Sequence, residues 1–84
     1  MDPKRPSDRF VALIQEILTT AEGFRPRVLP VVPEHRLVED LGLDSVALMD
    51  LAVGLEARLG RAVDESELLD LGTVGAIACR LAEA

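Results

Sequence analysis

Apolar residues recur at helical spacing in three long stretches of this chain, and nowhere do they alternate far enough to suggest a sheet. The first stretch runs from about Ser7 to Ala21. Phe10, Leu13, Ile14, Ile17, Leu18 and Ala21 fall on one side at ~100° per residue, with Gln15, Glu16 and Thr19 opposite. Ser7 or Asp8 is the expected N-cap, and Gly23 with Pro26 ends the helix. From Gly23 to Leu43 the prolines at 26, 30 and 33 keep the chain extended or turning. So long a loop is either functional or well packed. Leu29, Val31, Val32, Leu37 and Leu41 are its candidate anchors.

The second helix starts at Asp44 or Ser45 and ends at Gly60. On a helical wheel Leu48, Leu51, Ala52, Leu55 and Leu59 form one apolar stripe, the expected core face. Val46, Met49, Val53 and Ala57 form another, almost opposite, with Asp50 and Glu56 on its borders. One stripe is enough for a core. An ordered second row with an acidic edge reads as a docking surface in preference to chance exposure. Gly54, in mid-helix, costs about 1 kcal/mol relative to Ala unless close packing requires it.

Asp64 followed by Glu67 has the spacing of a capping-box variant and introduces a short helix through about Leu71, closed by Gly72. Thr73 caps a last helix to about Ala82, with Val74, Ile77, Ala78 and Leu81 on its buried side and Cys79 off it. The expected fold is all-α: three main helices, one short helix and a long first loop. Residues 1–84 read as one domain, with residues 1–6 as a disordered tail.

Charge sharpens this picture. The formal net charge is −6, and residues 34–72 hold ten acidic side chains against three arginines. An acidic middle disfavours nucleic acid and anionic membranes and suits partners with basic patches, although solubility alone would account for it equally well. No run is long enough to span a bilayer, and the basic start lacks a following apolar segment. A soluble, cytoplasmic monomer is expected. Cys79 is the single cysteine, which excludes an internal disulfide.

Catalytic constellations fail in turn. His35 is the one histidine and reads as an ordinary loop residue, so neither a Ser-His-Asp triad nor a site with paired histidines can form. Glu39, Asp40 and Asp44 lack the alternation of a calcium loop, and the glycines do not form a phosphate loop. No metal ligand set is expected. Cys79 reads as a small helix residue.

What remains is Leu37-Val38-Glu39-Asp40-Leu41-Gly42-Leu43-Asp44-Ser45-Val46, an acidic loop turning at Gly42 into a helix that begins with a hydroxyl. Asp44 and Ser45 alone could be no more than capping residues. Alternatively, Ser45 is an exposed alcohol at a helix N-terminus, where a phosphodiester would meet free N–H groups and the positive end of the dipole.

This stretch resembles the modification site of acyl carrier proteins, Asp-Ser-Leu leading into an amphipathic helix. The similarity extends from about Phe10 to Leu81 and is weaker before Glu34, where the loop is longer and richer in proline. The resemblance implies that a phosphopantetheinyl transferase, with Mg²⁺, attaches 4'-phosphopantetheine from coenzyme A to Ser45, with Asp44 as its motif neighbour. The arm would hold acyl groups as thioesters for a fatty-acid-like, polyketide or other natural-product pathway, and the carrier itself would be no enzyme. It also implies that the second helix meets acyl-loading enzymes, ketosynthases and other partners through Val46, Met49, Asp50, Val53 and Glu56. The family often has acids where Ala47, Ala57 and Arg58 stand, so this docking face is less acidic than usual and suggests specialised partners. A stand-alone aminoacyl or peptidyl carrier is the alternative cargo reading, although Gly42-Leu43-Asp44-Ser45 lacks the Gly-Gly-x-Ser of many peptidyl carriers. An unmodified helical interaction module is the alternative from another class.

Overall fold

The computed structural model describes residues 6–83, and side chains from Asp8 onward. Four helices follow in order: α1 Pro6–Thr20, α2 Ser45–Leu59, α3 Glu65–Leu71 and α4 Val74–Glu83. Among the described residues there is no strand, only an isolated antiparallel bridge between Arg36 and Thr73. Proline suits a first helical position, because its φ is already set and its missing N–H would have had no partner there. Opening α1 at Pro6 places Ser7 and Asp8 inside the first turn. Neither is therefore the N-cap that the sequence suggested. The remainder of the expected tail, residues 1–5, lies outside the described residues.

The buried faces follow the apolar periodicity. Ile14, Ile17 and Leu18 from α1, Leu48, Leu51, Ala52 and Leu55 from α2, and Val74, Ile77, Ala78 and Leu81 from α4 are all buried. The short α3 adds Leu68. α1 lies chiefly against α4 and then α2. The first loop contributes Val31, Leu37, Leu41 and Leu43 to the same core, but Leu29 is exposed and is no anchor. Gln15, assigned to the solvent side of α1, instead accepts the Val31 N–H through Oε1 at 2.7 Å, so this polar side chain ties the loop down.

Two helix ends bear on the capping expectations. Thr73 Oγ1 accepts the Ala76 N–H at 3.1 Å, the expected cap of α4. At α3, Asp64 Oδ1 accepts from Ser66 N at 3.1 Å. The reciprocal half of a capping box is missing, because Glu67 Oε2 lies 3.1 Å from Arg80 Nε on α4. Cross-helix pairing has taken the carboxylate that local capping would have used.

At Gly54, α2 packs directly against Ile17 of α1. A Cβ built there would stand 2.7 Å from Ile17 Cγ2, inside any permitted contact. Close packing thus explains a glycine that helix propensity opposes.

Truncating Leu51 or Leu55 to Ala should cost roughly 2–5 kcal/mol in urea denaturation, since both are fully buried. Val53→Ala, on the exposed face, should stay within about 0.5 kcal/mol. Gly54→Ala should lower the urea midpoint despite the better helix former, because Ile17 is buried and has to shift. A higher midpoint would show that α1 yields easily at this contact.

Candidate modification site at the head of the second helix

The segment leading to Ser45 is held by its own backbone. Leu37 N–H donates to Gly72 O at 2.9 Å, Val74 N–H to His35 O at 3.0 Å, and Gly75 N–H to Pro33 O at 2.9 Å. Pro33 to Leu37 are thereby fastened to the head of α4. A Cβ on Gly75 would be 3.0 Å from both Pro33 Cβ and Pro33 O, so any larger residue would press the loop back by a few tenths of an ångström. The chain then closes on itself, with Gly42 N–H on Val38 O at 3.1 Å and Leu43 N–H on Leu37 O at 3.0 Å. Gly42 turns with φ +82°, a conformation that suits glycine.

Charged side chains brace this turn. Asp40 Oδ2 accepts from Arg36 N at 2.7 Å and from Arg36 Nε at 3.3 Å. The backbone N–H of Arg36, and then its guanidinium, hold the Asp40 carboxyl below its ordinary range, and the same pairing raises Arg36. For a lowered carboxylate, the stabilisation is present above the unfolded pKa and is lost as pH falls through the lowered one. Arg27 lies across Gly42, whose Cβ would come 2.8 Å from Arg27 Nε, and Arg27 N–H donates to Leu41 O at 3.1 Å. His35 serves the same loop, receiving the Val32 N–H on Nδ1 at 3.1 Å.

Asp44 is the N-cap of α2. It is extended (φ −104°, ψ −173°), and its Oδ1 accepts the Ala47 N–H at 2.8 Å. Ser45 follows as the first residue of α2, with its side chain exposed. One first-turn amide is satisfied by Asp44, while those before it point out of the helix end with the positive pole of the dipole. The geometry presents a primary alcohol at a locally electropositive point, at the tip of a braced loop.

The two faces of α2 separate as the wheel indicated. Val46, Met49 and Val53 are 64%, 51% and 57% exposed, and Ala57 is exposed beyond them. Asp50 is half-buried beside them. Ala47, read as part of the docking face, is buried among core residues because it sits one position before Leu48 and one turn before Leu51. An acid there would be a core substitution, so its absence says nothing about docking charge. Glu56 belongs to the border but also has a structural role. Its Oε2 accepts the Val63 N–H at 2.9 Å, fastening the connection between α2 and α3. Arg58 pairs with Glu16 of α1 at 3.7 Å.

Sequence reasoning missed Arg27, Arg36 and the second role of Glu56. The Arg36–Asp40 spacing of four was the only legible signal, and it sits outside any helix. Among the described residues no group of three His, Cys, Asp or Glu side chains could hold a metal ion, and no helix is long and apolar enough to cross a membrane.

Comparison with known proteins agrees with this geometry. The pattern of the family described as "Phosphopantetheine attachment site" matches residues 8–81. The acyl carrier protein MbtL of Mycobacterium tuberculosis is 50% identical over 52 residues, covering 62% of this chain and 62% of that protein. The meromycolate extension acyl carrier protein of Mycobacterium leprae is 32% identical over 68 residues, covering 81% of this chain and 57% of that protein. The matches therefore span less than two thirds of either relative. The solved structure of Rv0033 from Mycobacterium tuberculosis, a protein assigned to the acyl carriers, superposes with a TM-score of 0.64 at 29% identity, covering 93% of this chain and 96% of that one. The chain belongs to the phosphopantetheine-attachment family and groups with its acyl carrier proteins.

Proposed function

We propose that this protein is an acyl carrier in which Ser45 bears 4'-phosphopantetheine. The observation that carries the reading is the exposed Ser45 hydroxyl at the first position of α2, behind an Asp44 cap, within the span matched to the attachment family. These residues fit the group. The serine has open space, the helix end favours a phosphodiester, and the braced loop fixes its direction. In the transferase reaction Ser45 Oγ attacks the pyrophosphate phosphorus that bears the pantetheine. The new Oγ–P bond forms as the bridging P–O bond breaks, the adenosine bisphosphate leaves, and the serine proton passes to a base of the transferase. When bound, the group supplies a thiol that holds acyl chains as thioesters.

The contribution of this chain is to tether, orient and present. Val46, Met49 and Val53 supply an apolar docking row beside the tether, and Asp50 and Glu56 supply charge that steers partners with basic patches. The transferase, acyl-loading enzymes and ketosynthases are the proposed partners. The carrier itself catalyses nothing, and the proposal places it in the cytoplasm as a monomeric, single-domain protein. The names of the relatives support a fatty-acid-like or natural-product pathway.

Incubation with coenzyme A, Mg²⁺ and a broad-specificity transferase should add one phosphopantetheine by intact mass, and Ser45→Ala should add none. No gain with several unrelated transferases would favour the unmodified interaction module instead.

Docking separates from folding in a second test. Asp50→Lys with Glu56→Gln keeps an acceptor for Val63 N–H and should change stability by less than about 0.5 kcal/mol. It should slow transferase modification, and the wild-type rate should itself fall as salt rises. Glu83→Lys is the control. Glu56→Lys differs from both, because it leaves Val63 N–H unpaired and should cost about 1–3 kcal/mol. Equal modification rates for the double variant and the control at all salt concentrations would remove the acidic border from docking.

A further inference from the structure

Arg27 lies on the turn that leads to Ser45, and its charge is not spent there. Its side chain crosses Gly42 where a Cβ would stand, with Cγ, Cδ and Nε 3.1, 3.2 and 2.8 Å from that position. Glycine thus does two things at 42: it allows the positive φ, and it admits this arginine. The main chain fixes the base of the contact, since Arg27 N–H donates to Leu41 O at 3.1 Å. Beyond it the guanidinium makes a long contact, Nη1 to Glu39 O at 3.5 Å, at the limit for a hydrogen bond.

Other arginines are committed. Arg36, Arg58 and Arg80 pair with Asp40, Glu16 and Glu67. Arg27 has no acidic partner among the described residues. Neither have Arg25 and Arg61, but Arg25 lines a hollow at the end of α1, and Arg61, beyond the C-cap of α2, donates to Leu81 O at 3.1 Å. An exposed guanidinium with idle N–H donors, seated on the turn before an attachment point, suits an oxyanion. Gly42 and Ser45 are three residues apart, so even a fully extended path leaves their Cα atoms within about 11 Å. The arginine stem and the serine–phosphate linkage both rotate in solvent, and together they can close that gap.

We infer that Arg27 pairs with the phosphodiester on Ser45 and so holds the root of the arm against the turn. The inference rests on the carrier reading above. The unbridged oxygens of a phosphodiester match the guanidinium fork. The amides at the head of α2 meet the phosphate from the helix, and Arg27 meets it from the first loop. Two anchors on different elements narrow the directions in which the arm can leave.

The test compares apo and holo forms of the full-length protein, with loading from coenzyme A verified by intact mass. On loading the wild-type protein, the Arg27 Nε–H NMR resonance should shift and its exchange with water should slow, while that of Arg25 stays in place. Urea denaturation of apo and holo Arg27→Gln and Arg25→Gln then completes a thermodynamic cycle. Taking the holo-to-apo ratio within each variant cancels whatever Arg27 contributes by bracing the turn. Relative to wild type, Arg27→Gln should reduce the holo-to-apo ratio of folding constants roughly 1.5- to 5-fold, the range of an exposed ion pair, and Arg25→Gln should leave it unchanged. Salt at about 1 M should erase the difference, and Arg27→Lys should keep part of it. An Arg27 Nε–H resonance unmoved by loading, or equal ratios for Arg27→Gln and Arg25→Gln at low salt, would overturn the inference. Arg27 would then be a brace of the turn alone, with the carrier reading intact. Failure of the wild-type protein to load would overturn both.

Discussion

Three backbone hydrogen bonds between residues 33–37 and 72–75 hold the rest of this structure in place. They join a proline-rich loop, which has no helix of its own, to the head of α4, and the Arg36–Thr73 bridge is their centre. Leu37 enters the core there, and its carbonyl then receives Leu43 N–H, so the chain can leave in only one direction. α2 begins where that direction leads. The position of Ser45 is thus fixed by contacts at some distance along the chain, together with the buried Leu41 and Leu43 before it and Ala47 and Leu48 after it.

The second helix divides its surface between two tasks. Burying Leu48, Leu51, Ala52 and Leu55 takes one face, and the exposed Val46, Met49 and Val53 leave an apolar row in water on the other. In a domain of this size one or two kcal/mol is a large share of total stability. Such a row is affordable only because the core face is so fully covered. Gly54 helps, letting α1 close onto α2 at Ile17. Glu56 couples the two tasks, since one oxygen of its carboxylate ties down Val63 while the side chain stays half-exposed at the border of the row.

Periodicity made the helices, the two faces of α2 and the position of Ser45 legible in the sequence. It works for those features because a helix repeats its environment every few residues. The loop was less readable. Leu29 and Leu37 are both leucines near prolines, yet one is exposed and the other buried, and only the clasp to α4 distinguishes them. Gln15 and Arg27 act through partners 16 and 14 residues away, Val31 and Leu41, a kind of contact that no local pattern encodes. Ala47 was misread for a related reason. It lies at the margin of the core stripe, where the packing of the neighbouring elements decides whether a small residue is covered.

Charge near Ser45 is better balanced than the acidic sequence suggests. A phosphodiester there would add a negative charge beside Glu39, Asp40 and Asp44. Two like charges 10 Å apart repel by about 0.4 kcal/mol in water, and salt reduces this further. Against that small cost, Arg36 already pairs with Asp40, and Arg27 lies over Gly42. Asp44 is engaged with Ala47 N–H, and the end of α2 adds roughly half a positive charge. The helix end and the two arginines thus offset part of the acidic charge around Ser45. Along α2 the acidity that could steer a basic partner is confined to Asp50 and Glu56 beside the apolar row, while α3 carries more of it through Glu65, Glu67 and Asp70, so a basic partner lying along α2 would meet acid from both helices.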